Sequence, residues 1–171
     1  MPKVKPSLLE ARTRILRAAS EVIRQEGAMA LTLDAIAKKA QVSKGGLLYH
    51  FPSKDALVRG LLEHHMDSFE QGLKNSGLPL AEAYVKLSSY DDSQGLLLEM
   101  MAALVLNPSL LEVVRERWRR WYAQIPQNPD VVVAMLATDG IFMADMLELG
   151  VPKGDLRQKV LQRMQELAGS A

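Results

Sequence analysis

Three helix starts crowd into the stretch from Leu31 to Lys54, and that crowding confines the chain to a narrow set of folds. Thr32 is a natural N-cap, its hydroxyl placed to accept from a backbone N–H that has no partner within the helix. Leu31 before it is spaced to pack on Ile36 as a hydrophobic staple, so a helix is expected from there to Ala40. Gln41 and Val42 leave room only for a tight connection. Ser43 then repeats the grammar with Val42 stapled onto Leu47, and a second short helix is expected from Lys44 to about His50. Phe51-Pro52 ends it, because proline disfavours helical geometry in the residue before it, and Ser53 caps a third helix through Leu57, Leu61, Leu62, Phe69 and Leu73. Two short helices joined by a turn of about three residues form a helix-turn-helix.

Elsewhere apolar residues recur at spacings of three and four and never alternate over a strand's length, so the expected fold is all-α with about nine helices. The first runs from about Ser7 to Glu26, with Ile15, Ala18, Ala19, Val22 and Ile23 on one stripe and Gly27 as a left-handed stop. In the body, helices are expected from Pro79 to about Tyr90, from Leu96 to Leu106, and from the capping box Ser109-Leu110-Leu111-Glu112 to Ile125-Pro126. Two more follow, one capped by Asn128 with Pro129 at its first position and running toward Gly150, the other from Asp155 to Ala168. No apolar run approaches the length that spans a bilayer and no leader-like stretch opens the chain, so a soluble cytoplasmic protein is expected. The absence of cysteine excludes a disulfide framework, a thiolate metal site and a thiol nucleophile.

A formal net charge of +1 argues against a polyanion partner until the chain is divided. Residues 1–55 carry ten basic and five acidic side chains, leaving the remainder at −4. The expected domains are accordingly a basic helix-turn-helix head, 1–55, and a body, 56–171, for effector binding and dimerisation. In the second short helix, Gly45 and Gly46 would each cost about 1 kcal/mol relative to alanine in a helix interior. They are understandable if another molecule approaches the backbone closely, where a helix N-terminus favours phosphate. A solvated turn with a flexible glycine pair accounts for residues 43–50 equally well. The flanking caps and staples favour the reading in which this helix enters the major groove of DNA.

Residues 12–57, above all Ile36-Ala37, Val42-Ser43-Lys44-Gly45, Leu47, His50-Phe51-Pro52-Ser53-Lys54 and Ala56-Leu57, resemble the N-terminal domain of the TetR family of bacterial transcriptional regulators. The resemblance implies three DNA-binding helices, a fourth leading to an all-α ligand-binding and dimerisation domain, and a homodimer on a palindromic operator. The DNA contacts it implies are Thr32, Ser43, Lys44, Gly45, Gly46, Tyr49, His50 and Lys54. Gly46 stands where a small hydroxylated residue is commoner, and Leu48 where many members have tyrosine. Base readout would therefore rest more on Lys44 and Tyr49.

The helix from Pro129 is apolar nearly all round, which calls for burial on two sides; a subunit interface covers the second, although a central core helix would also be apolar all round. Val132, Met135, Gly140, Met143, Leu161 and Met164 are the expected interface residues, pairing this helix and the last one with their symmetry mates in a four-helix bundle. Two-fold pairing sets recognition helices about one DNA turn (~34 Å) or more apart. Phe69, Met100, Met101, Trp118, Trp121, Tyr122 and Phe142 are the expected lining of a pocket for an apolar or aromatic effector, though rings and methionines at helical spacing also serve as ordinary core. The rings at 118, 121 and 122 are interleaved with arginines and fit an amphipathic surface face equally.

His64 and His65 are adjacent on a helix and point about 100° apart, so they do not chelate one ion; no metal and no cofactor are expected. No phosphate-binding glycine loop, nucleophile elbow or metal-ligand spacing is present, which argues against an enzyme. The expected function is a ligand-responsive repressor. The alternative is a helical small-molecule sensor or scaffold whose helix-turn-helix contacts protein.

Overall fold

The computed structural model describes residues 8–27, 30–88 and 108–170. Among them the chain forms eight helices and no strand: α1 (Leu8–Glu26), α2 (Leu33–Lys39), α3 (Lys44–His50), α4 (Lys54–Asn75), α5 (Leu80–Ser88), α6 (Pro108–Tyr122), α7 (Pro129–Met146) and α8 (Gly154–Ala168). The helix expected over Leu96 to Leu106 lies outside the described residues. The chain divides into two compact units, one of residues 1–65 with 99–113, the other of residues 66–98 with 114–171.

In the first unit α1 buries Ile15, Leu16, Ala18, Ala19, Val22 and Ile23. Gly27, at φ 81°, ends the helix, its N–H donating to the Ile23 carbonyl at 2.9 Å. α2 and α3 pack against α1, burying Leu31, Ile36, Ala37 and Leu47, and Leu57, Val58, Leu61 and Leu62 of α4 are buried as well. Each such aliphatic side chain contributes about 1.5–3 kcal/mol on burial, which holds together helices too short to persist alone.

In the second unit α5, α7 and α8 pack on one another. The buried face of α7 is Val131, Ala134, Met135 and Thr138, at the three-and-four spacing of a helix side. The Thr138 hydroxyl turns back to the Ala134 carbonyl at 2.8 Å, so its burial leaves no unsatisfied group. Arg157 of α8 grips Asp145 of α7 with two bonds, 3.1 and 2.5 Å. α7 opens as the sequence predicts, Asn128 accepting from the Asp130 N–H at 2.9 Å with Pro129 following. α6 begins one residue before the expected cap: Ser109 lies inside its first turn, its carbonyl accepting from Arg59 at 3.2 Å.

Candidate nucleic-acid interface

Both caps predicted before the short helices are made. Thr32 Oγ1 accepts from Ala35 N–H at 3.2 Å and Ser43 Oγ from Gly46 N–H at 3.0 Å, each fixing where its helix begins. The turn between them is a Schellman closure. Gln41 N–H donates to the Lys38 carbonyl at 3.2 Å and Val42 N–H to the Ala37 carbonyl at 3.0 Å, with Gln41 itself left-handed at φ 54°. A glutamine there carries strain that glycine would not, and nothing in the sequence signalled it.

Leu47 is the sole side chain of α3 that is fully buried. It pins the inner face of the helix, leaving Ser43, Lys44, Gly45, Leu48 and Tyr49 exposed, with Gly46 and His50 half-buried. Tyr49 is 71% exposed and its ring meets His50 edge-on at 5.3 Å. The glycine pair divides on inspection. A Cβ at Gly46 would stand 3.1 Å from Ser43 Oγ, crowding the cap, so Gly46 has a local reason to be glycine. A Cβ at Gly45 would meet nothing within 4 Å, and no contact within the chain accounts for it.

Lys44 is not idle. Its Nζ lies 2.9 Å from an oxygen of Asp34, an ion pair that links the first turns of α2 and α3, and Thr32 and Ser43 are both exposed at those helix starts. Asp34 escaped the sequence reading because an acidic residue in a helix's first turn is ordinary dipole chemistry. Lys54, exposed at the start of α4, follows a third made cap, Ser53 Oγ accepting from Ala56 N–H at 3.0 Å. Behind the patch, Phe51 is buried with the Arg12 guanidinium 5.3 Å from its ring centre. Gly60 admits that ring, since a Cβ there would stand 2.6 Å from it.

Residues 15–61 match the family model for bacterial regulatory proteins of the tetR family, and residues 78–169 match the tetracycline repressor-like C-terminal domain. The chain belongs to the TetR family. UidR of Escherichia coli K12, an HTH-type transcriptional regulator, is 29% identical over 142 residues, covering 72% of each chain. RutR of the same strain, also such a regulator, is 37% identical over 106 residues, covering 57% of this chain and 50% of that one. The transcriptional regulator SCO7518 from Streptomyces coelicolor A3(2) shares the fold, with a TM-score of 0.68 at 23% identity over 94% of this chain and 99% of that one. This TetR-family chain is thus a helix-turn-helix transcriptional regulator.

The residues expected to line an effector pocket are only partly brought together. Met100 and Met101 lie outside the described residues. Phe69, Trp118, Trp121 and Tyr122 join Tyr84 in one ring cluster, with neighbouring centroids 5.3–6.2 Å apart. On α6 Trp121 is buried, Trp118 and Tyr122 are half-buried, and Arg119 and Arg120 between them are exposed, so one side of the helix packs inward and the other meets solvent. Phe142, half-buried on α7, makes none of these ring pairs. Beside Trp121 a cleft of about 210 Å3 is walled by Leu73, Leu78 and Leu80 and rimmed by Glu70, Lys74 and Gln124. That is smaller and more polar than a drug-sized ligand requires. Arg117 bonds both Asp67 and Glu70; burial acts to lower its pKa, but the two carboxylates outweigh it and raise the value.

Two expected interface residues are spent inside the unit. Met135 is 0% exposed and Met164 3%, because both point into the packing of α5, α7 and α8. Val132 and Leu161 are half-buried, and Gly140 and Met143 exposed. The opposite side of α7 instead shows Val133, Leu136, Gly140, Met143 and Leu147, all exposed, at alternating spacings of three and four. The sequence hid this division, because both sides of α7 are apolar. Among the described residues no group of three or more His, Asp or Glu is placed to hold a metal, and no helix is long and apolar enough to cross a membrane.

Proposed function

We propose that the chain is a ligand-responsive repressor that binds a two-fold symmetric operator as a homodimer and is released by a small apolar or aromatic effector. The observation that carries the DNA-binding part is the exposure of Thr32, Ser43, Lys44, Gly45 and Lys54 at three capped helix starts, with Tyr49 exposed further along α3. Gly45, with open space where its side chain would be, lets a phosphate or base edge come against the backbone. His50 and Gly46 contribute from the half-buried side of the same helix.

Dimerisation is carried by the exposed stripe on α7. Its spacing is that of a helix–helix seam, and at Gly140 no side chain keeps a partner helix away. The 1–55 and 56–171 division assigns DNA contact to the head and both effector and partner to the body. Effector and operator then oppose one another through one coupling free energy, so each lowers the other's affinity by the same factor.

A gel shift of the purified protein on DNA from upstream of its own gene tests this reading. A retarded band that survives excess random-sequence competitor is expected. No band, or a band competed equally by any duplex, overturns it and favours a scaffold whose helix-turn-helix meets protein.

The Lys44–Asp34 pair is exposed on both sides and worth no more than about 1 kcal/mol, so DNA can draw Lys44 away. Asp34→Asn should release the lysine and remove a charge that repels phosphate. DNA affinity is expected to rise by up to about fivefold. Weaker binding by this variant would mean that Asp34 positions Lys44 for the contact.

A further inference from the structure

Asp139 is a carboxylate in the middle of an otherwise apolar helix, and among the described residues it has one hydrogen-bond partner. The Tyr84 hydroxyl donates to its Oδ1 at 2.5 Å. No lysine, arginine or histidine pairs with it among the described residues, and the stretch 89–107 contains no basic residue that could. Among the described residues the titratable groups facing it are Tyr84 from α5 and Tyr122 from α6, while Arg157 from α8 is engaged by Asp145. Trp118 meets the Tyr84 ring near edge-on at 5.5 Å and the Tyr122 ring at a tilt at 5.3 Å, so three aromatic rings gather around the Tyr84–Asp139 pair. Trp118, Tyr122 and Asp139 are each only half-buried. The same cluster holds one unsatisfied polar group, the buried Trp121 Nε1, which has no acceptor among the described residues.

A packed core does not keep such an arrangement for stability. Burial pushes Asp139 up to about 6, the Tyr84 bond opposing it only in part. A native pKa above the unfolded value means that stability is highest when the group is protonated and falls as pH rises from about 4 through 6. At neutral pH the carboxylate is therefore ionised at a cost, and an arriving cation would relieve it.

We propose that Asp139, with the rings of Tyr84, Trp118 and Tyr122, forms the recognition site for an organic cation of the alkylammonium class. The carboxylate supplies the countercharge and the ring faces a cation–π box. This rests on the ligand-responsive reading above and names the chemistry of its effector.

Trp118 and Trp121 are the chain's two tryptophans, so intrinsic fluorescence reports on this cluster directly. Phenyltrimethylammonium and tert-butylbenzene, which have the same shape with and without charge, are titrated at about pH 7.5 with excitation that only tryptophan absorbs. The cation is expected to bind about tenfold or more tightly than the hydrocarbon. The preference should vanish in Asp139→Asn and in the unaltered protein at about pH 5, where the carboxylate is protonated. Asp139→Asn should melt no lower than the parent, since it removes a buried charge. Equal binding of the two probes, no binding of either, or a preference that survives Asp139→Asn overturns the proposal. A gel shift on the same preparations separates the readings: lost cation preference with intact operator binding refutes this inference alone, whereas absent DNA binding refutes the regulator.

Discussion

Truncating Leu47 to alanine is expected to remove about 2–5 kcal/mol of stability, the usual range for a fully enclosed leucine. The consequence reaches beyond stability, because α3 has no other buried side chain and seven residues cannot hold a helix unaided. With its anchor gone, the helix that carries Lys44, Gly45 and Tyr49 loses its orientation. DNA affinity should fall even at temperatures where the rest of the chain stays folded. Leu48→Ala is the matched control: its side chain is 37% exposed against none for Leu47, and a loss of about 1 kcal/mol or less is expected. Urea denaturation of the two variants checks the account, and equal midpoints would show that α3 is held by something other than Leu47.

The second large effect concerns α7. Leu136→Asp together with Met143→Asp should leave the protomer folded, since both side chains are exposed within it, but put carboxylates into the proposed seam. Monomers are expected in sedimentation. Losing the second half-site should then lower operator affinity by roughly 10²–10⁴, the range that linking two binding modules provides. A variant that still sediments as a dimer would place the interface elsewhere.

The head was the legible part of this molecule because its information is local. Caps, staples and the Phe51-Pro52 break act within one or two turns, so Thr32, Ser43 and Ser53 could be assigned from spacing alone and are found making those bonds. The body is governed by contacts distant in sequence. No local pattern links Asp139 to Tyr84, its donor, which lies 55 residues away. Met135 reads as an interface residue in the sequence because an all-apolar helix has no polar face to orient it; only packing against α5 and α8 tells the side of Val131 and Met135 from the side of Val133 and Leu136. The glycine pair shows the same limit at short range. Composition could flag Gly45 and Gly46 together, but the Ser43 cap explains one of them, while open space surrounds the other.

The most direct test of DNA recognition is the salt dependence of binding to a duplex selected by the protein from random sequence, compared with an unselected duplex of equal length. If the patch at the starts of α2, α3 and α4 grips six to ten phosphates across a dimer, affinity should drop by about 10³–10⁵ between 50 and 200 mM salt. The selected duplex should remain preferred by at least about 10³. Equal affinity for both duplexes, or binding indifferent to salt, would contradict the account.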